Sequence, residues 1–363
     1  MDFTLNDDQQ ALVGLAKQIL TEQSTQKRLD ALDEQGLWLD AELWKQLAEA
    51  GIVGAALAED VGGGGLGYAE LALLLEQVGA TVAQVPLFDT VLCAALPLDR
   101  YGTPEQRQRD LPGVANGTVL LAAALTESGR DDLLRPTATY RDGAVTGLKT
   151  SVPLADVAAR LLVPASTADG VVLLLVEPSA PGVTLRRGTG TSGQPLFEVE
   201  LENAPAELLT ADPDALAWVI DRALVGLAAQ ALGVSSTALR LSATYTTGRE
   251  QFGRAIATFQ AVGHRLADAY IEVEGMRLTT LQAIWLLDAG LPGRDEARVA
   301  KWYASEGGHK VAHAAQHVHG GVGIDVDYVL HRYFRWSKQL EFTLGSAQAQ
   351  LLSLGATLAA EPV

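Results

Sequence analysis

Between residues 118 and 212 the apolar residues come in short runs bounded by Gly, Pro, Asp or Ser, whereas on either side they recur at helical spacing over long stretches. Such a double change of period excludes a fold of one class. It requires helices, then a compact sheet, then helices again. The expected fold is α+β and mostly α: helical over 1–117, β over 118–212, and a helical bundle over 213–363. A chain of 363 residues is too long for one small domain, and its 48% hydrophobic content supplies a large core.

Asn6 can cap a first helix that opens with Asp7 and Asp8 and repeats Ala11, Leu12, Leu15, Ala16 and Ile19 on one face. Helices are also expected over 41–50, stopped by Gly51, over 68–78, stopped by Gly79, and over 90–101. Strands are expected over 119–125, 144–152, 159–164, 170–177, 183–187 and 196–201, and the short loops between them imply an antiparallel domain. The last third predicts helices over 214–247, 259–289, 294–319 and 330–359. The second of these is apolar on nearly every face, the pattern of a helix buried by other helices.

Charge and special residues narrow the function. Lys and Arg total 27 against 44 Asp and Glu, a net charge of -17, which repels phosphate backbones and argues against nucleic acid as a partner. Cys93 is the single cysteine, so no intrachain disulfide and no Cys-based metal site can form. His313 and His317 have helical ligand spacing but lack a third ligand, and no metal site is expected. The polar, acidic start is no signal peptide, and no uninterrupted run of about 18 apolar residues predicts a membrane span, so the chain reads as soluble and cytoplasmic.

Three segments carry polar groups suited to a ligand. In 245–253, Arg249 beside Gln251 and Phe252 suits gripping a phosphate and covering an aromatic ring, while a helix-helix corner with one solvated Arg is the other reading. In 316–323, Gly320, Gly321 and Gly323 expose backbone NH groups, or simply end a helix. In 124–129, Thr126 and Glu127 close an apolar strand, where they could bond a planar heteroaromatic ring or merely form a turn.

Taken in order, the segments resemble the acyl-CoA dehydrogenase family over nearly the whole chain. The matching stretches are Leu43-Trp-Lys-Gln-Leu-Ala-Glu-Ala-Gly51, Glu59-Asp-Val-Gly-Gly-Gly-Gly-Leu66, Leu125-Thr-Glu127, Arg249-Glu-Gln-Phe-Gly253, Phe259-Gln260, Leu266-Ala-Asp268 and His319-Gly-Gly-Val-Gly323. The resemblance implies N-terminal helices, a central β domain and a C-terminal four-helix bundle. It also implies FAD held at a subunit interface and oxidation of acyl-CoA thioesters to 2-enoyl-CoA. A carboxylate takes the α proton while a hydride leaves the β carbon.

The chain departs from the family where the chemistry is done. Leu344 stands where the family's usual Glu is expected, and Ala223 at the alternative base position. Neither can take a proton, and the nearest carboxylates are Glu341 and Asp221. Ser128, Arg130, Asp131 and Asp132 replace the small flavin loop, and Ser151-Val152-Pro153 replaces a Trp-Ile-Thr beside the flavin ring. Arg249, Gln251, Phe252, Phe259, Gln260, Gly320 and Gly321 survive, with His317 at a position usually Gln. In the family, those elements reach the FAD of a neighbouring subunit. The resemblance therefore points to the non-catalytic chain of an actinobacterial α2β2 acyl-CoA dehydrogenase, many of which act in steroid side-chain degradation. Such a chain completes the FAD site of a second, catalytic chain that binds the acyl-CoA. A homotetramer with a displaced base and a non-enzymatic scaffold are the competing readings.

Overall fold

The computed structural model describes residues 3–130 and 132–360. Its N-terminal helices are α1 (Asp7–Gln23), α2 (Gln26–Glu34), α3 (Ala41–Glu49), α4 (Tyr68–Thr81), α5 (Leu96–Tyr101) and α6 (Pro104–Ala115), with a π-helical stretch over Leu87–Ala95. The strands follow as β1 (Leu121–Ala123), β2 (Thr139–Arg141), β3 (Ala144–Pro153), β4 (Arg160–Ser166), β5 (Val171–Val176), β6 (Val183–Thr189), β7 (Pro195–Pro205) and β8 (Glu207–Thr210). Then come α7 (Ala215–Gly248), a small hairpin of β9 (Glu250–Gln251) and β10 (Arg254–Ala255), α8 (Gln260–Asp288), α9 (Arg294–His319), α10 (Leu330–Phe342) and α11 (Ala347–Ala360).

The chain divides into two compact units, one of Met1–Ala31, Ala72–Ala83 and Leu224–Val363, the other of Leu32–Leu71 and Gln84–Ala223. In the second unit an eight-stranded sheet runs in the order β6-β7-β3-β2-β4-β5-β8, with β1 beside β4. The expected antiparallel sheet is in fact mixed. Both β1 and β2 run parallel to β4, because the chain crosses over between β1 and β2 rather than turning back at once. The inner face carries Val145, Leu161, Val163, Leu174, Phe197 and Val199, packed with Trp38. The carboxylate of Asp40 caps α3 by accepting from the Leu43 NH at 2.9 Å.

In the first unit the cap at Asn6 forms as expected, a reciprocal pair in which Asn6 and Gln9 each accept from the other's backbone NH. Helix α4 does not stop at Gly79 but runs on to Thr81. Gly79 is needed for packing: a Cβ there would lie 2.0 Å from the Gln230 carbonyl oxygen. Gly233 on α7 does the reciprocal, 2.0 Å from the Glu76 carbonyl oxygen, so two backbones touch where neither can carry a side chain. The most apolar stretch of α7 is long enough to cross a membrane, yet 89% of it is buried within the chain.

Two further expectations are corrected. Helix α8 is buried on one face only, through residues such as Ala269, Val273, Met276 and Ile284. Tyr270, Ile271, Leu278 and Trp285 on the same helix are exposed. The expected helix over 330–359 is two helices, α10 and α11, broken at Leu344 (φ 55°) and Gly345 (φ 101°).

Candidate functional site

The hairpin grows directly from the end of α7. The Arg249 NH donates to the Tyr245 carbonyl at 2.8 Å, closing the last turn, and the Ile256 NH donates to the Arg249 carbonyl at 2.8 Å. Between these anchors Gln251 pairs with Arg254 and Glu250 with Ala255. The two-residue loop is Phe252-Gly253, both in the left-handed region at φ 54° and 77°, as a two-residue hairpin of the primed type demands. A phenylalanine is a poor residue for that conformation. Phe252 is nevertheless there and 93% exposed. Its ring meets Phe259 edge-on at 6.2 Å, and the Arg254 guanidinium covers Phe259 at 4.1 Å.

Arg249 projects from this base into solvent and has no ion-pair partner among the described residues. The solvated-corner reading would leave it idle, and no acid on the bundle claims it. Gln251 is exposed, and its side-chain amide donates to the Glu250 carbonyl at 2.8 Å. Gln260 opens α8, exposed, with its amide nitrogen 3.4 Å from His264 Nε2.

The glycine turn closes α9. Gly320 has φ 59°, a conformation suited to glycine, and both Gly320 and Gly321 are exposed with open space where a Cβ would stand. Gly323 is different, because a Cβ there would meet the Gln316 carbonyl oxygen at 2.8 Å. His317 is exposed, but His319 is buried. The His319 ring stacks on Tyr245 at 4.3 Å, with Nδ1 2.7 Å from the Ala315 carbonyl and Nε2 3.2 Å from the Tyr328 hydroxyl. The two ligand-suited segments, far apart in sequence, are thereby joined one turn before Arg249 and one residue before Gly320. In the sequence His319 is one member of the glycine motif and Tyr245 the first residue of 245–253, and nothing local says that they meet. Two aromatic rings flanking the two segments were the available signal.

Neither expected base position holds a proton acceptor. Leu344 is buried in the left-handed break between α10 and α11. That break is held by Lys301 of α9, whose wholly buried ammonium donates to Ser305 Oγ (2.7 Å) and to the carbonyls of Leu340 (3.0 Å), Glu341 (3.1 Å) and Gly345 (3.0 Å). Burial pushes its pKa down to about 7, opposed by the Glu341 charge. The Glu341 carboxylate is itself occupied, 2.8 Å from Lys338 Nζ and 3.2 Å from His309 Nδ1. Ala223 is buried on α7, and Asp221, close by in sequence, is buried too.

The strand-end segment in the other unit also turns inward. Thr126 and Thr150 bond each other twice, the Thr150 NH donating to the Thr126 carbonyl at 2.9 Å and the Thr126 hydroxyl donating to the Thr150 carbonyl. The buried Glu127 carboxylate accepts from Lys149 Nζ (2.7 Å), the Thr137 NH (2.6 Å) and hydroxyl (2.5 Å), and the Ala138 NH (3.0 Å). Burial alone would raise its pKa, but these donors outweigh it and bring the carboxyl to about 2. Ser151 is exposed at φ 53° in a bulge of β3. Ser128 and Arg130 are exposed as well, while Asp131 lies outside the described residues. No cluster of metal-ligating side chains occurs among the described residues.

Helices precede and follow the sheet-bearing segment, and a glycine turn is clamped beside an arginine hairpin, the arrangement that the resemblance to acyl-CoA dehydrogenases implies. Family models agree: "Acyl-CoA dehydrogenase, N-terminal domain" matches residues 6–118 and "Acyl-CoA dehydrogenase, C-terminal domain" residues 216–359. The chain belongs to the acyl-CoA dehydrogenase family, a family of oxidoreductases. It is 37% identical to acyl-CoA dehydrogenase FadE27 of Mycobacterium tuberculosis, over 100% of both chains. It is also similar to a variant of the Tcur3481-Tcur3483 steroid ACAD, at 46% identity and a TM-score of 0.93, over 98% of this chain and 99% of that one. The ChsE4-ChsE5 complex of Mycobacterium tuberculosis is 38% identical with a TM-score of 0.94, over 100% of both chains.

Proposed function

We propose that this chain is the non-catalytic subunit of a cytoplasmic, heteromeric acyl-CoA dehydrogenase, and that it completes an FAD site whose flavin ring is held by a second, catalytic chain. The observation that carries this reading is an asymmetry. The exposed Arg249–Phe252 hairpin and the open Gly320–Gly321 turn are clamped together, while position 344 carries a buried leucine. An unpaired guanidinium suits a pyrophosphate, and the open space at the Gly320 and Gly321 Cβ positions lets a ligand approach the backbone closely. These residues fit the nucleotide half of an FAD site. The strand-end groups do not fit the ring half, because Thr126 and Glu127 spend their polar atoms on the protein itself.

Arg249, Gln251, Phe252, Phe259, Gln260, His317, Gly320 and Gly321 are the residues assigned to the cofactor. Bound FAD would supply the hydride acceptor for α,β-dehydrogenation of an acyl-CoA, and the proton-abstracting carboxylate would belong to the partner. Two of the similar structures are named as pairs of chains, one of them a steroid ACAD, which supports an α2β2 assembly and a steroid side-chain CoA as substrate. A displaced base at Glu341 is disfavoured by its bonds to Lys338 and His309.

The test is the flavin content of the co-expressed complex. A charge-assisted phosphate contact contributes roughly 1.5–3 kcal/mol, so Arg249→Ala should weaken FAD binding about 10- to 150-fold, and Arg249→Lys should recover part of it. A variant complex that assembles and keeps full flavin overturns the reading. The pure chain, given FAD, an acyl-CoA and an acceptor dye, should show no turnover, and clear turnover would contradict the loss of the base.

A further inference from the structure

We infer that His319 is a positioning residue: as a neutral imidazole carrying its proton on Nδ1, it locks the Arg249 hairpin to the Gly320–Gly321 turn. The purpose of the lock rests on the FAD reading above, but its existence does not. The tautomer follows from the partners. The Ala315 carbonyl, 2.7 Å from Nδ1, can only accept, so Nδ1 must donate. Nε2 then offers a lone pair, and the Tyr328 hydroxyl at 3.2 Å is placed to donate to it. A doubly protonated ring would set an NH against that donor. Burial of the ring also disfavours the charged form.

The third contact does the joining. Tyr245 lies nearly parallel to the imidazole, at 4.3 Å and 23°, and Tyr328 leans on both rings at 5.3 Å and 6.3 Å. Tyr245 is also the residue whose carbonyl receives the Arg249 NH. One imidazole thus bonds its own helix, stacks on the last turn of α7 and bonds the segment that follows the glycine turn. Phe in its place would stack without bonding, and Gln would bond without stacking. The hairpin beyond this point has two ladder pairs and an exposed tip that leans on Phe259, so its direction depends on where the last turn of α7 is held.

The test uses the purified full-length chain in the assembly it forms. Nitrogen NMR of the unsubstituted protein should find Nδ1 of His319 protonated and Nε2 bare at neutral pH. The opposite tautomer, or a charged ring, overturns the inference without any variant. Amide hydrogen exchange should then rise about tenfold or more at Arg249 and Ile256 in His319→Phe, the scale expected for losing two hydrogen bonds. Tyr328→Phe should give a smaller rise, and the double variant should exceed His319→Phe little, since both remove the same bond. Unchanged hairpin exchange, or faster exchange spread evenly over α8, α9 and α10, shows a merely structural histidine and overturns the positioning role. Flavin occupancy of Arg249→Ala judges the FAD reading separately, because that substitution leaves the lock intact.

Discussion

Glu127, paired with Lys149, shows how a single residue can look functional and be structural. Both are buried, 2.7 Å apart, and Lys149 also donates to the Pro164 carbonyl at 2.7 Å. Removing one partner leaves the other charge stranded, which in buried pairs costs about 3–5 kcal/mol. Glu127→Gln should therefore lower the unfolding free energy by about 3 kcal/mol at pH 7. The carboxyl falls from an ordinary 4.5 to about 2 on folding. Its stabilisation is complete above about 4.5 and is lost as the pH falls through 2. The gap between wild type and variant in denaturant titrations should narrow steadily as the pH drops across that window. A gap of constant size would mean that the ionised carboxylate is not what stabilises the fold.

At the scale of elements, the Phe252-Gly253 turn carries a cost that the hairpin itself does not require. A left-handed backbone costs an ordinary L-residue about 1–2 kcal/mol, while Asn visits it readily. With Phe252 93% exposed, replacing it loses little packing within the chain. Phe252→Asn is therefore expected to hold or slightly raise the melting temperature while weakening flavin retention in the complex. Strained, exposed aromatics of this kind are kept where they contact something outside the chain. A variant that melts lower and keeps its flavin would make Phe252 a structural residue instead.

At the scale of the whole molecule, several large apolar side chains of α8, α10 and α11 stand exposed. Ile271 (67%), Leu352 (60%) and Phe342 (63%) are exposed, as are Tyr270, Leu278 and Trp285, also on α8, and Leu351 and Leu358 on α11. A net charge of -17 opposes indiscriminate aggregation of such a surface without removing the drive to cover it. An obligate oligomer, most readily two pairs in a tetramer, is the expected state in light scattering. Ile271→Lys should shift the population toward smaller species, because a buried interface cannot hold an unpaired ammonium. A monodisperse soluble monomer of the unsubstituted chain would contradict this.

Much of this was legible in the residues. Period-3.6 and short apolar runs located α1, α3, α7, α8, α9 and the strands from β3 to β7, because burial of one face or both acts directly on which residues are apolar. The Arg249 and Gly320 segments were visible as unusual groupings of a cation, an aromatic and glycines. What escaped depends on partners distant in the chain. Gly79 reads as a stop until Gln230 of α7 is beside it. The apolar pattern runs unbroken through Leu344, and the break there is accompanied by donors that no local pattern reveals, Lys301 to the carbonyls of α10 and Gly345 and Gln350 to that of Leu344. The parallel pairing of β1 and β2 with β4 is a matter of crossover, which no local pattern encodes. Thr126 and Glu127 offer polar atoms to any ligand until Thr150, Thr137 and Lys149 take them. Sequence by itself determined the periodicity, the leucine at position 344 and the grouping of Arg249 with Phe252 and glycines. Tertiary structure decided which polar groups were already satisfied and that Tyr245 and His319 meet, because hydrogen bonds and ring contacts between distant segments exist only once the chain has folded.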